Sequence, residues 1–140
     1  MLFELLKNSM RATCVTHMQE NDMFDKELPD INIVIADGEE NDDVVVKVSD
    51  EGGGIRRSHV GRIFRYLFTT ARDEPTALED ANSDFGVEGP LAGLGYGLPI
   101  SRAYARYFGG DLEIISMEGY GTDAFLYLSR LRTHSEPLLL

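Results

Sequence analysis

Three groups of residues in the sequence have types and spacings suited to chemistry on a charged ligand. The first is Asp50, which ends the inward-facing side of an alternating strand pattern and is followed almost at once by Gly52, Gly53 and Gly54. A carboxylate at the end of a buried strand face is a hydrogen-bond acceptor at a cavity wall. Glycines have no Cβ, so they let another group approach closely. This group predicts a site that recognises a hydrogen-bond donor.

The second group is the stripe formed by Glu4, Asn8 and Arg11. Residues three and four positions apart lie on one face of a helix. A carboxylate and an amide one turn apart suit general-base and Mg²⁺ chemistry, since Mg²⁺ prefers oxygen ligands and keeps several waters. A simple solvated helix face would show the same spacing.

The third group is a glycine-rich segment that opens a helix. It consists of Gly93, Leu94, Gly95, Tyr96, Gly97 and Leu98, and Pro99 follows it. Proline suits the first turn of a helix, and the free N–H groups at a helix start form an anion site. The segment has no Gly-Lys-Ser/Thr ending and no preceding parallel strand, so neither a Walker loop nor a dinucleotide fingerprint is indicated. By itself it is a weak indication of phosphate binding.

The elements that must position these groups are helices and strands in a mixed order. Periodicity predicts helices over residues 2–19, 58–68 and 99–108, and strands over residues 31–36, 44–50, 112–117 and 122–131. Ser58 is expected to cap the second helix. The apolar face of the third helix is expected to carry Ile100, Ala103, Tyr104 and Tyr107. This order predicts an α+β fold, a two-layer α/β sandwich in which a mixed sheet carries helices on one face.

Residues 69–92 have no periodicity and are rich in Asp, Glu, Pro, Asn, Ser and Gly. A connection of that length inside a compact domain is uncommon and is typical of a mobile lid or a binding loop. A disordered surface insertion is the alternative. We predict one domain over residues 1–132 that contains this lid, and a tail over residues 133–140.

Composition limits the class of ligand and partner. The net charge of −11 argues against electrostatic binding of nucleic acid. No apolar run approaches the roughly 18 residues of a membrane span, so membrane insertion is not expected. The single cysteine, Cys14, excludes a disulfide within the chain, and the three histidines lack partners at metal-ligand spacing. An anionic ligand must therefore be held by local groups.

One ligand would use all three groups, a nucleoside triphosphate. The Asp50 carboxylate suits the exocyclic amine of adenine, backbone N–H groups suit phosphates, and the Asn8 oxygen suits a hydrated Mg²⁺. Glu4 would then orient or deprotonate a nucleophile near the γ-phosphate. The combination predicts a site for ATP and Mg²⁺.

The same segments resemble the successive motifs of the GHKL ATPases, the superfamily of gyrase, heat-shock chaperone, histidine kinase and mismatch-repair ATP domains. These motifs are Glu4–Asn8, Asp50–Gly54 and Gly93–Gly97. Within the superfamily the chain most resembles the mitochondrial protein kinases of the pyruvate dehydrogenase kinase family. That similarity covers nearly the whole chain and is carried by Asn8–Thr13, Gly93–Arg102, Tyr104–Phe108 and Ser116–Asp123.

The resemblance implies the GHKL (Bergerat) ATP-binding fold with a mobile ATP lid. It also implies that Glu4 is the general base, that Asn8 binds Mg²⁺ and that Asp50 accepts from the adenine amine. The remaining nucleotide-binding residues that it implies are Arg11, Gly52, Gly54, Thr69, Thr70, Gly93, Leu94, Gly95, Tyr96, Gly97, Leu98 and Thr122.

For the whole protein, the resemblance implies a serine kinase of the mitochondrial matrix that phosphorylates and inactivates the E1α subunit of the pyruvate dehydrogenase complex. Members of this family dock on the lipoyl domain of E2 through an N-terminal helical bundle and form homodimers. They also carry a histidine before the Met-Leu-Phe-Glu run. Residues 1–140 contain neither the bundle nor that histidine, so we expect this chain to bind ATP but to phosphorylate E1α poorly or not at all.

Three alternatives remain open from the sequence. Arg11–Thr13 followed by His17, and Phe68–Ala71, also resemble branched-chain ketoacid dehydrogenase kinase. A histidine-kinase ATP domain would share the nucleotide motifs but phosphorylate a histidine. A non-catalytic nucleotide-binding module would bind ATP without transferring phosphate.

Overall fold

The computed structural model describes residues 1–17, 27–39, 42–69 and 95–130. Its helices are α1 (Leu2–His17), α2 (Arg57–Val60) and α3 (Gly97–Tyr107), and its strands are β1 (Asn32–Ala36), β2 (Asp43–Asp50), β3 (Asp111–Met117) and β4 (Gly121–Ser129). The predicted α+β class and element order are confirmed within these residues. Most of the predicted lid, and the predicted tail, lie outside them.

The four described strands form one sheet in the order β1-β2-β4-β3. All three neighbouring pairs are antiparallel, so the predicted mixed sheet is wrong for this part of the chain. The crossover through α3 does make β3 run in the same direction as β2. The returning strand β4 then inserts between them, and each hydrogen-bonded pair is therefore antiparallel.

Both long helices pack on one face of the sheet, as predicted. Leu5 from α1 and Ala105 from α3 are buried against that face. Its strand residues are Val46, Val48, Leu112, Ala124 and Leu126. The register places Val48 opposite Ala124 and Val46 opposite Leu126, so these side chains form adjacent rows under the helices. This core holds the end of β2 against α1.

The buried face of α3 differs from the predicted one. Ser101 and Ala105 are buried, whereas Tyr104 and Tyr107 are exposed. The small side chains let α3 lie close to the sheet, and bulky aromatic rings are accommodated only at its margin. The helix ends where predicted, because Gly109 adopts a φ of 77°, a left-handed conformation that favours glycine.

The helix predicted over residues 58–68 is only the four-residue α2. Arg56 is its N-cap residue, and Ser58 lies inside the helix and does not cap it. Gly61 follows α2 and weakens helix propagation, and Leu67 has a left-handed φ of 64°. The Leu67 N–H bonds to the carbonyl oxygen of Gly95 at 3.0 Å, so a tertiary contact ends the segment. Among the described helices, none has the length and hydropathy to cross a membrane.

Candidate functional site

Asp50 lies at the end of β2, where α1 crosses the sheet, and is 8% exposed. Its Oδ2 accepts a hydrogen bond from Ser9 Oγ at 2.7 Å, and its Oδ1 accepts one from the Gly52 backbone N–H at 3.0 Å. The carboxylate is therefore held in one orientation from two sides. Each oxygen has a second lone pair, so Asp50 can still accept from a ligand.

The glycines after Asp50 are required by close packing. A Cβ on Gly52 would lie 2.5 Å from the Ala12 Cβ, so α1 can approach the loop only at a glycine. Gly54 has a φ of 71°, and a Cβ there would collide with the carbonyl oxygen of Met117. Thr16 donates to the Gly52 carbonyl oxygen at 2.9 Å and ties the end of α1 to the same loop.

Glu4, Asn8 and Arg11 face the same cavity from α1, as the stripe predicted. Lys7 also lines this cavity, and its Nζ lies 3.0 Å from Glu4 Oε2. The helix therefore presents a carboxylate, an amide oxygen and two cations on one wall. These are groups suited to a proton acceptor, a metal ligand and phosphate contacts.

The start of α3 forms the facing wall. Tyr96 is the N-cap residue and makes no side-chain cap hydrogen bond, which leaves N–H groups at the helix start for another acceptor. A Cβ on Gly97 would lie 2.5 Å from Glu4 Oε2, so glycine lets the carboxylate lie against the helix start. Gly95 has a φ of 77° and packs against the Leu67 backbone.

Thr122 lies on β4 directly opposite Asp50 in the register. Its Oγ1 is 3.0 Å from Ser116 Oγ, and Ser116 Oγ also accepts from the Ile55 N–H at 2.8 Å. This network fixes the Thr122 hydroxyl beside the Asp50 carboxylate. The base of the cavity therefore carries two oriented polar groups.

These walls enclose a cavity of about 560 Å³, which is within the usual range for small-molecule sites. Every predicted site residue that the structure describes lines it: Glu4, Asn8, Arg11, Asp50, Gly52, Gly54, Thr69, Gly95, Tyr96, Gly97, Leu98 and Thr122. The other predicted residues, Thr70, Gly93 and Leu94, lie outside the described residues. The three groups of the sequence therefore meet in one place.

Sequence reasoning gave no role to two residues of this site, Ser9 and Lys7. Ser9 lies on the buried side of α1 and donates to Asp50. A hydroxyl on the buried side of a helix, next to a predicted buried carboxylate, was the signal available. Lys7 stands one turn after Glu4, and an i, i+3 ion pair could have been expected from that spacing.

Oxygen donors in the cavity wall suit a hard cation such as Mg²⁺. Asn8 and Glu4 are one helical turn apart and both line the cavity. Among the described residues there is no cluster of three or more His, Cys, Asp or Glu that could hold a metal by itself. The donor set fits an ion held by few protein ligands and completed by phosphates and water, which is typical of Mg²⁺.

Comparison with known proteins identifies the family. A family model described as histidine kinase-, DNA gyrase B-, and HSP90-like ATPase matches residues 1–132. The chain belongs to this ATPase family. The cavity between α1, β2 and the start of α3 thus lies in a GHKL ATPase domain.

Individual relatives of the ATPase domain share a more specific name. The chain is 56% identical over 141 residues to the mitochondrial [pyruvate dehydrogenase (acetyl-transferring)] kinase of Arabidopsis thaliana. The matched region covers 99% of this chain and 36% of that protein. It is 49% identical to the protein of the same name in Schizosaccharomyces pombe, covering 98% of this chain and 31% of that protein. For isozyme 4 of Homo sapiens the identity is 48%, over 96% of this chain and 29% of that protein. The chain thus spans about a third of the length of these relatives.

Proposed function

We propose that this chain is the ATP-binding catalytic domain of a serine kinase that phosphorylates the E1α subunit of pyruvate dehydrogenase and inactivates it. The observation that carries the proposal is the single cavity in which Glu4, Asn8 and Asp50 meet. The relatives named pyruvate dehydrogenase kinase support the substrate, and their mitochondrial names support a mitochondrial matrix location.

In this proposal Asp50 accepts a hydrogen bond from the adenine amine, and Thr122 lies beside the base. Arg11, Thr69 and Thr70 lie along the nucleotide. The phosphates are received by backbone N–H groups of the loop and helix start, residues 93–98, because the dipole of α3 favours negative charge there. Gly52 and Gly54 let the loop after Asp50 pack closely against α1 and Met117, and this packing shapes the cavity wall that the nucleotide would contact.

Glu4 is the proposed general base. It accepts the proton of the serine hydroxyl as the serine oxygen bonds to the γ-phosphorus, and the bond from that phosphorus to the β–γ bridging oxygen breaks to release ADP. Mg²⁺, when bound, offsets the charge of the phosphates, and Asn8 would be its protein ligand. Lys7 is placed to hold the Glu4 carboxylate in position.

The proposal for the complete kinase includes docking on the lipoyl domain of E2 and formation of a homodimer. These partners rest on the family resemblance. No nucleic-acid or membrane partner is proposed, since a net charge of −11 repels polyanionic surfaces.

The nucleotide part of the proposal is tested by calorimetry of ATP with and without Mg²⁺. Asn8→Ala should weaken ATP binding about tenfold in Mg²⁺, which corresponds to the loss of one charge-assisted contact, and should leave metal-free binding nearly unchanged. Ser58→Ala, an exposed polar truncation away from the cavity, is the control and should change neither. Equal weakening with and without Mg²⁺ would contradict the role of Asn8.

The substrate part is tested by incubating the chain with E1α and ATP labelled on the γ-phosphate. We expect slow incorporation of acid-stable label on serine, lost in Glu4→Gln, with ATP affinity retained in that variant. Acid-labile label would indicate a histidine kinase. No label on prolonged incubation, with intact ATP binding, would favour a non-catalytic nucleotide-binding module.

A further inference from the structure

One stretch of this acidic chain is strongly basic. The net charge of the chain is −11, yet residues 54–69 contain no Asp or Glu. The basic residues in this stretch are Arg56, Arg57, His59, Arg62 and Arg65. All four arginines are exposed. We call residues 56–65 the basic segment.

The arginines of the basic segment have no ion pair with a described carboxylate. Elsewhere in the described chain the ion pairs are Lys7 with Glu4, Lys47 with Asp123, Arg102 and Arg106 with Asp111, and Arg130 with Asp37. The one described carboxylate that is hydrogen-bonded to the basic segment is Glu118, which accepts the backbone N–H of Arg57 at 2.9 Å. The guanidinium charges are therefore not neutralised within the described fold.

The backbone brings several of these charges to one side. The N–H of His59 bonds to the Arg56 carbonyl, that of Arg62 to the His59 carbonyl, and that of Arg65 to the Arg62 carbonyl, at 2.7–2.8 Å. Side chains three residues apart eclipse one another in such turns. Phe68 lies on the side that His59 and Arg62 share, since its ring centroid is 5.4 Å from that of His59 and 4.9 Å from the Arg62 guanidinium.

This side borders the nucleotide cavity. Phe68, whose ring lies under Arg62, also lines the cavity, as do Ile63 and Thr69. The backbone just before it is fixed by the bond from the Leu67 N–H to the Gly95 carbonyl. A ligand on the basic segment would therefore lie beside the mouth of the cavity.

We propose that the basic segment is a docking surface for an acidic segment of a partner polypeptide. A short acidic peptide senses only charges within roughly one Debye length, about 8–10 Å, and so responds to the local arginines. A nucleic acid or an anionic membrane extends much further and would be repelled by the acidic remainder of the protein. The inference concerns binding alone, so it stands whether or not the chain transfers phosphate.

The test is fluorescence anisotropy with a labelled short peptide of alternating Glu and Ser, compared with the same peptide carrying Gln in place of Glu. We expect the chain to bind the Glu peptide in a salt-sensitive manner and the Gln peptide much more weakly. The double variant R56Q/R65Q removes two charges from the row without touching Phe68. It should bind the Glu peptide about tenfold more weakly, as expected for two partly exposed charge pairs.

Arg106→Gln is the control, because it removes an exposed arginine that lies outside the basic segment and is paired with Asp111. It should leave peptide affinity within about twofold. ATP affinity should be unchanged in R56Q/R65Q. The proposal is overturned if the native chain does not bind the Glu peptide, if R56Q/R65Q binds it normally, or if peptide and ATP affinity fall together. The proposal would also be overturned if the chain bound single-stranded DNA or anionic vesicles more tightly than the Glu peptide, and if that binding depended on the same arginines.

Discussion

At the scale of the residue, the site depends on how the Asp50 carboxylate is held. Ser9 and the Gly52 N–H each donate to a different oxygen of Asp50. Ser9 lies on α1 and Gly52 lies in the loop after β2, and these two elements pack closely against each other. An acceptor held on two sides cannot turn away from a ligand. In the proposed function, recognition of the adenine amine would therefore depend on Ser9 as well as on Asp50.

Removing the Ser9 hydroxyl should measurably destabilise the fold. Ser9→Ala leaves one oxygen of the buried Asp50 carboxylate without its donor. Hydrogen bonds to charged groups contribute roughly 1.5–3 kcal/mol, so we expect the free energy of unfolding to fall by about 2 kcal/mol. Urea denaturation measures this, with Ser58→Ala as the exposed control. A change as small as that of the control would show that the hydrogen bond adds nothing.

The backbone conformation of Leu67 has an energetic cost. It is 64% exposed and has a left-handed φ of 64°, which costs an L-residue roughly 1–2 kcal/mol. Leu67→Gly should therefore stabilise the chain by about 0.5 kcal/mol, after the greater entropy of glycine in the unfolded state is offset. Thermal or urea unfolding checks it. Leu28→Gly, at an exposed leucine without positive φ, should destabilise, and a similar loss in both variants would contradict the strain.

The sequence predicted which residues line the cavity better than it predicted the local structure that connects them. Asp50, Asn8 and Gly97 carry their chemistry in residue type and spacing, so their meeting in one cavity was foreseeable. The short α2 was not, because its end depends on a tertiary bond between Leu67 and Gly95. Periodicity reports which side chains are apolar, and it does not report contacts between distant segments.

At the scale of the element, α3 is joined to β3 by charge as well as by packing. Asp111, the first residue of β3, receives Arg102 Nε at 2.9 Å and Arg106 Nε at 3.0 Å. Hydrogen bonds from Arg102 and then Arg106 hold the pKa of Asp111 well below its usual range. This joint fixes α3, whose other end forms a wall of the cavity.

Asp111→Asn should lower stability in a pH-dependent way. The pKa of this carboxyl is depressed in the folded state, so its stabilisation is complete above the ordinary pKa of about 4 and is lost as the pH falls below that value. We expect a loss of about 1 kcal/mol at pH 7, discounted for partial exposure, and a smaller difference from the native chain at pH 3. Urea denaturation at both values tests it, with exposed Asp30→Asn as the control. A difference that grows on acidification would contradict the sign.

The predicted buried face of α3 was wrong because of how the helix packs against the sheet. Apolar periodicity selected Ile100, Tyr104 and Tyr107, but the helix packs through Ser101 and Ala105. The helix lies so close to the sheet that only small side chains fit between them. The sequence of one helix does not reveal how closely it approaches the sheet. The mixed-sheet prediction failed similarly, because insertion of β4 between β2 and β3 is a property of the whole topology.

At the scale of the whole molecule, the fold is an acidic domain that receives a polyanion. With a net charge of −11, the protein cannot attract a triphosphate by its overall field. In the proposed function, the start of α3 and the cavity-lining Lys7 and Arg11 provide the local positive potential. The basic segment is the one place among the described residues where unpaired arginines are concentrated, and it borders the same cavity.

The most direct test of the central claim is calorimetry of Asp50→Asn with ATP and with purine riboside triphosphate, which lacks the adenine amine. The native chain should prefer ATP, and the variant should lose about 2 kcal/mol, or about 30-fold, of ATP affinity while its affinity for the amine-free analogue changes little. If Asp50→Asn binds ATP as tightly as the native chain does, or weakens both ligands equally, Asp50 does not recognise the adenine amine.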